Sequence, residues 1–239
     1  MKLYHQSTYR TLLLILCSCA GLITASAQGA VEDKGLKMRI ACVKVKKGLS
    51  VLAYRSSITK QFEEIQLNVN HLSGTVNVKA EANGTVHFYD PSNLPEKDKP
   101  VSPVATYSSK SGNSGELIML LLPSSSKVQT TYSCQAIPIG REFQDGSSCI
   151  VNLTNKKIYI VENDKKPAKR ITNGNAKVIK PNNGKSEMKL QVYTHHKVSK
   201  KITNFYTATW SFSPQVKELC LIYQNPGAKW PKTKIISGY

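Results

Sequence analysis

Beyond residue 27 the chain holds four histidines that could do chemistry: His71, His87 and the adjacent pair His195-His196. Neutral imidazole binds metals and moves protons near neutral pH. Adjacent residues of a strand point to opposite faces, so His195 and His196 together serve one metal poorly. They read as polar residues near a strand end. Glu63-Glu64 and Glu96 with Asp98 are the carboxylate pairs nearest in sequence. Acid–base work needs two carboxyls converging in a cleft with separated pKa values, and sequence neighbours do not supply that. Gly184-Lys185-Ser186 has the ending of a phosphate-binding loop, but that loop needs a glycine where Ile179 stands. The sequence contains no G-x-S-x-G elbow and no H-E-x-x-H, and no C-x-x-C follows residue 27. No catalytic residue, metal ligand or cofactor is assigned.

Lysine carries the stronger signal. The 239 residues hold 33 Lys+Arg against 15 Asp+Glu. Residues 156–201 hold 13 basic and 3 acidic side chains, a net +10. Lys165-Lys166 with Lys169-Arg170, and Lys200-Lys201, are the densest points and the candidate anion-binding residues. Such a field attracts polyanions. An exported chain seldom meets nucleic acid, so acidic polysaccharide or anionic lipid headgroups are the expected partners. After residue 27 the chain has 27 Lys and only 4 Arg, and Arg is the side chain that grips phosphate or carboxylate with two parallel bonds. The aromatics do not alternate with these lysines as a stacking platform would require. The competing account is that lysines along strand edges deter aggregation.

Export is read from the N-terminus. Lys2 and Arg10 precede an apolar run from Leu12 to Ile23, and Ala25-Ser26-Ala27 follows. A basic start, a short apolar middle and an A-x-A site describe a secretory signal peptide over 1–27. The run is shorter than the ~20 apolar residues that span a bilayer, and no comparable stretch follows, so no transmembrane segment is expected. Leu16-Cys17-Ser18-Cys19 loosely resembles a lipid-attachment box at Cys19, although a cysteine inside that box is atypical. Four cysteines remain: Cys42, Cys134, Cys149 and Cys220. In an exported chain an even number makes disulfides plausible. If strands pair about the midpoint of Pro138–Gly146, Cys134 faces Cys149 at bridging distance. Cys42 and Cys220 then pair with each other or stay as buried thiols. Asn83-Gly84-Thr85 and Asn152-Leu153-Thr154 match the glycosylation sequon, which matters only in a eukaryotic host.

The elements that must position these groups are strands. Ile65, Leu67 and Val69 alternate with polar residues, and Leu117–Leu122, between Gly115 and Pro123, reads as a strand buried on both faces. Tyr206, Ala208, Trp210 and Phe212 fall on one face of a late strand, which reads as core. Helical spacing is nearly absent; Ile58, Phe62 and Ile65 give the best short candidate over Ser57–Leu67. Pro91–Pro103 reads as a loop. The class is all-β and sandwich-like, as one large or two packed small β units after the signal peptide. The charge shift sets the expected division: an N-terminal unit over 28–138, net +4, and a basic unit over 139–239, net +12.

The second half resembles a group of uncharacterised exported β-rich proteins of verrucomicrobial-type bacteria. Ile137-Pro138-Ile139, Phe143 to Gly146 running into Val151-Asn152-Leu153, Ile179-Lys180-Pro181, Trp210-Ser211, and Leu219 to Tyr223 followed by Asn225-Pro226 carry the likeness. The abundance of lysine and the four cysteines depart from it. The resemblance implies an exported β protein, periplasmic or extracellular, and brings no activity. The expected function is a non-enzymatic binding or structural module of the bacterial envelope that contacts anionic surface polymers. The rival is a hydrolase or transferase acting on envelope polymers, with carboxylates assembled from distant strands. A third reading, a carrier for a small apolar ligand, needs a cavity inside a barrel.

Overall fold

The computed structural model describes residues 35–96, 99–109, 116–124, 130–181, 185–195, 201–225 and 227–238. The expected signal peptide over 1–27, the lipid-attachment alternative at Cys19, His196 and Lys200 lie outside the described residues, as do the side chains of Lys165 and Lys166. Gly35–Tyr239 form one structural unit.

Strands occur in chain order as β1 (Leu36–Cys42), β2 (Val51–Arg55), β3 (Phe62–Gln66), β4 (Val76–Val78), β5 (Thr85–Tyr89) and β6 (Ala105–Ser108). Next come β7 (Leu117–Pro123), β8 (Tyr132–Pro138), β9 (Ser148–Asn152), β10 (Ile158–Glu162) and β11 (Lys165–Ile171). The last are β12 (Ala176–Ile179), β13 (Glu187–His195), β14 (Ile202–Ser211), β15 (Lys217–Tyr223) and β16 (Lys232–Gly238). No helix occurs among the described residues, and none is long and apolar enough to cross a membrane. The all-β, sandwich-like class stands. Ser57–Leu67 is not helical; it makes a turn and then β3. Between β5 and β6 the proline-rich segment is a loop, as its composition requires.

Three sheets stack as layers. The first is eight-stranded, β3-β2-β5-β6-β8-β7-β1-β4, and curls around a core of its own containing Met38, Leu52, Phe88, Met119 and Tyr132. The second, β12-β9-β15-β16, lies in the middle, and the third is β11-β10-β13-β14. Alternation assigns the faces. In β7, Leu117, Met119 and Leu121 enter the first core, while Ile118 and Leu120 meet Cys149, Val151, Leu219 and Leu221 of the middle sheet. The opposite face of that sheet, with Ile150, Cys220 and Ile222, packs on Ile158, Ile160, Leu190, Val192 and Trp210 of the third. Strands buried on both faces need continuous apolar runs and tolerate parallel pairing. Accordingly β9 is buried throughout and pairs in parallel with β15, and β7 pairs in parallel with β1. Trp210 and Phe212 belong to the core, with Tyr206 packed against it, as their alternation implies.

The four cysteines are all free thiols, which corrects the expected bridges. β8 pairs with β7 and β6, and β9 with β12 and β15, so Cys134 faces Leu121 while Cys149 faces Leu219 and Val178. The segment after Pro138 crosses from the first sheet to the middle one instead of turning a hairpin. Cys42 sits in the first core, and Cys220, on β15 of the middle sheet, faces the third, with the core shared by the first and middle sheets between them. Cys42 and Cys134 both oppose Leu121 from either side of β7, two strand spacings apart, about 9.5 Å. A disulfide needs Cα atoms within about 7 Å. Burial pushes the Cys134, Cys149 and Cys220 thiols up to about 12. Brief treatment of the native protein with iodoacetamide should therefore leave its mass unchanged. In denaturant without reductant all four thiols should react; two protected cysteines would instead demonstrate a bridge.

Candidate functional site

β10 and β11 are joined by Asn163-Asp164, both with positive φ, 49° and 59°. A two-residue turn with both centres left-handed matches the twist of a hairpin, and Asn and Asp tolerate that region. The turn fixes which face each basic residue takes. β10 sends Ile158 and Ile160 into the core, so Tyr159 points the other way. Arg170 lies opposite Tyr159 and is exposed on that same open face. β13 buries Met188, Leu190 and Val192 and turns Lys189, Gln191 and Tyr193 outward. Tyr193 lies opposite Tyr159 on the far side of β10. The open face therefore carries a row reading Arg170, Tyr159, Tyr193, about 10 Å across. Beside it stand Lys157 and His195, joined by the His195 N–H to the Lys157 carbonyl at 3.4 Å.

Among the described residues, the expected anion-binding side chains Lys169, Arg170 and Lys201 do not form one patch. Lys165, Lys166, Lys169 and Arg170 all fall on β11, an edge strand. Lys169 opposes Ile160, so it stems from the core-facing side, and its Nζ lies 2.6 Å from Glu162 Oε1. Arg170 has no ion-pair partner among the described residues. Lys201 precedes β14, at the opposite edge of the sheet. The register Ile171–Ile158–Thr194–Thr203 places it near the Ile171 end, diagonal to Lys165. Lys189, between these edges, holds Asp164 at 3.0 Å. Sequence reading missed Tyr159 and Tyr193 because the row exists only across strands; the usable signal was Tyr alternating with Ile in β10 and with Val and Thr in β13.

Two other groups that could do chemistry, His87 and Glu63, are occupied. His87 Nδ1 lies 3.1 Å from Thr106 Oγ1 and Nε2 3.2 Å from Glu81. The Glu63 carboxylate accepts from the Tyr54 and Thr59 hydroxyls, each at 2.7 Å, and these bonds hold its pKa below the usual range. No cluster of three His, Cys, Asp or Glu suited to a metal occurs among the described residues. A cleft of about 380 Å³ is lined by Arg39, Glu116, Arg141, Phe143 and Lys217. Its cations are largely neutralised: Arg39 Nε lies 2.8 Å from Glu116, and Lys217 Nζ 3.4 Å from Asp145. Burial pushes the Glu116 carboxyl up, but the Arg39 hydrogen bond and charge outweigh it and hold the group low. No protein-family model matches the chain, and no curated protein matches it either.

Proposed function

We propose that the protein is an exported, non-enzymatic binding module of the bacterial envelope that holds acidic polysaccharide on the open face of the β11-β10-β13-β14 sheet. The observation that carries this is the row Arg170, Tyr159, Tyr193. Tyrosine offers an apolar ring face with a polar tip, suited to a sugar ring. Arginine offers two parallel donors to a uronate carboxylate. Lys157 and the rest of the basic half supply a diffuse field that raises local polyanion concentration and weakens with salt. The N-terminal pattern of residues 1–27 supports export, and the resemblance to exported bacterial β proteins supports the envelope. The rim lysines add attraction without recognition.

The test is binding of alginate, a polyuronate, and of anionic vesicles, at low and physiological salt. Arg170→Ala should weaken alginate binding about tenfold or more, the usual effect of a lost charge-assisted contact. Tyr159→Ala with Tyr193→Ala should weaken it comparably, while Lys169→Ala, already paired with Glu162, should change it less than about twofold. Equal losses from Arg170→Ala and Lys169→Ala would mean that charge alone binds and the row is no site. Vesicle binding without alginate binding would transfer the face to lipid headgroups and refute the polysaccharide reading.

A further inference from the structure

The three sheets end on six edges, and five are guarded. β11 carries Lys165, Lys166, Pro167, Lys169 and Arg170; β16 carries Lys232 and Lys234; β3 carries Glu63 and Glu64. β12 carries Lys177 and runs into Lys180-Pro181, and β4 is only three residues long. Charge, proline and shortness are the devices that stop an edge from recruiting another strand. β14 has none of these three, and its one bulge, at Phe205, lies outside the stretch from Thr207 to Ser211. It is the longest strand among the described residues, ten residues from Ile202 to Ser211, without a charged residue or a proline.

The direction of its backbone groups follows from one hydrogen bond. The Phe212 N–H donates to the Ser186 carbonyl at 2.7 Å, one step beyond the Ser211–Glu187 pair. In an antiparallel ladder alternate residues bond to the neighbour. Trp210, Ala208 and Tyr206 therefore aim N–H and C=O at β13, and Ser211, Thr209 and Thr207 aim theirs away from it. All three are exposed, and among the described residues no strand pairs with β14 on that side. The register shift between Val192 and Tyr193 marks an extra residue at Phe205, which ends the regular stretch.

We propose that this edge pairs antiparallel with the same edge of a second copy of the chain, about a two-fold axis at Thr209. Thr209 then faces Thr209 of the second copy, and Thr207 faces Ser211. Each such pair exchanges both backbone bonds, and opposed hydroxyl side chains add cross-strand contacts. The result is a self-complementary interface and one continuous sheet of eight strands, four from each copy. On the open face, Thr207, Thr209 and Ser211 present hydroxyl side chains to the join, and Ser211 Oγ also donates to Glu187 at 3.4 Å. Symmetry is what selects the partner.

Charge decides whether a basic chain can do this. The nearest charged residue to the axis is Lys189, opposite Thr209 on β13 and already paired with Asp164, and Glu187 follows beside Ser211. In the dimer the two Lys189 stand three strand spacings apart, about 14 Å. That exceeds the ~8 Å screening length at physiological salt. Association should therefore strengthen as salt rises, whereas polyanion binding weakens. The inference is independent of the polysaccharide reading.

Sedimentation velocity on the purified protein, from low to high micromolar, tests it. The parent should pass from monomer to dimer. Thr209→Lys sets two ammonium groups against each other at the axis and should weaken dimerisation about a hundredfold or more. Thr209→Pro deletes only an outward N–H, which an edge strand tolerates, and should also give monomer. Lys169→Thr, on the guarded edge, should leave the dimer intact. A parent that stays monomeric throughout overturns the proposal. So does a Thr209→Lys protein that dimerises as the parent does, since another surface would then be responsible. If Thr209→Pro fails to fold, the lysine variant decides alone.

Discussion

Asn152→Leu should cost about 3 kcal/mol or more of stability, lowering the melting temperature by about 6–12 °C for a unit of this size. Asn152 is fully buried. Its Nδ2 donates to the Lys156 carbonyl at 2.7 Å and the Ile171 carbonyl at 3.0 Å. Its Oδ1 accepts from the Thr154 N–H at 2.9 Å and the Thr154 hydroxyl at 2.7 Å. Leucine fills a similar volume and can make none of these bonds, so several buried groups lose partners in a setting water cannot reach. Exposed Asn155 is the control position; Asn155→Leu should change stability by under about 0.5 kcal/mol. Urea unfolding followed by tryptophan fluorescence measures both. A loss below about 1 kcal/mol at Asn152 would mean that these bonds are not what ties the middle and third sheets at this corner.

Leu120→Ala and Leu121→Ala should each cost about 2–5 kcal/mol, the range for fully buried leucines whose surroundings cannot collapse. Both are wholly inaccessible to solvent, but they face different cores. Leu120 packs against the middle sheet, and Leu121 fills the curl of the first. The double variant should therefore lose close to the sum, because the two side chains enter different cores. Two residues of one helix face would couple. Strong non-additivity in denaturant titrations would refute the separation of the cores by β7.

The strands were legible because period-two alternation and continuous apolar runs are local. Leu117–Leu122 announced a strand buried on both faces, and the Tyr206 to Phe212 alternation announced its inner face. The pairing was not legible. Nothing near Cys134 or Cys149 says that the chain changes sheets after Pro138, since that choice rests on β9 finding β15, some seventy residues later. The sequon at Asn152 shows the same limit: its Asn and Thr are a buried turn that bonds its own backbone, and no sugar could reach them. The basic tract was visible as composition. That Lys169 and Arg170 take opposite faces required the register of β10 and β11, which the Asn163-Asp164 turn sets.

The layered arrangement also dictates an order of events as the chain emerges N-terminus first. The core inside the curled sheet draws on buried residues from Leu36 to Tyr132, with Cys134 and Ala136 packed against it, so it can condense while the rest is still being made. The middle layer cannot, because Ala41 and Ile118 share their packing with Leu219 and Ile236. Lys234, two residues before Ile236 on β16, reaches back to the Val43 carbonyl at 2.6 Å across 191 positions of sequence. Contacts of that separation are slow to form. Until β16 arrives, Ile118, Leu120 and Ile137 present a greasy, half-finished surface to whatever surrounds the nascent protein. A truncation that removes only the last strand should consequently be harmful out of proportion to its length, giving a species that is collapsed, sticky and quickly degraded.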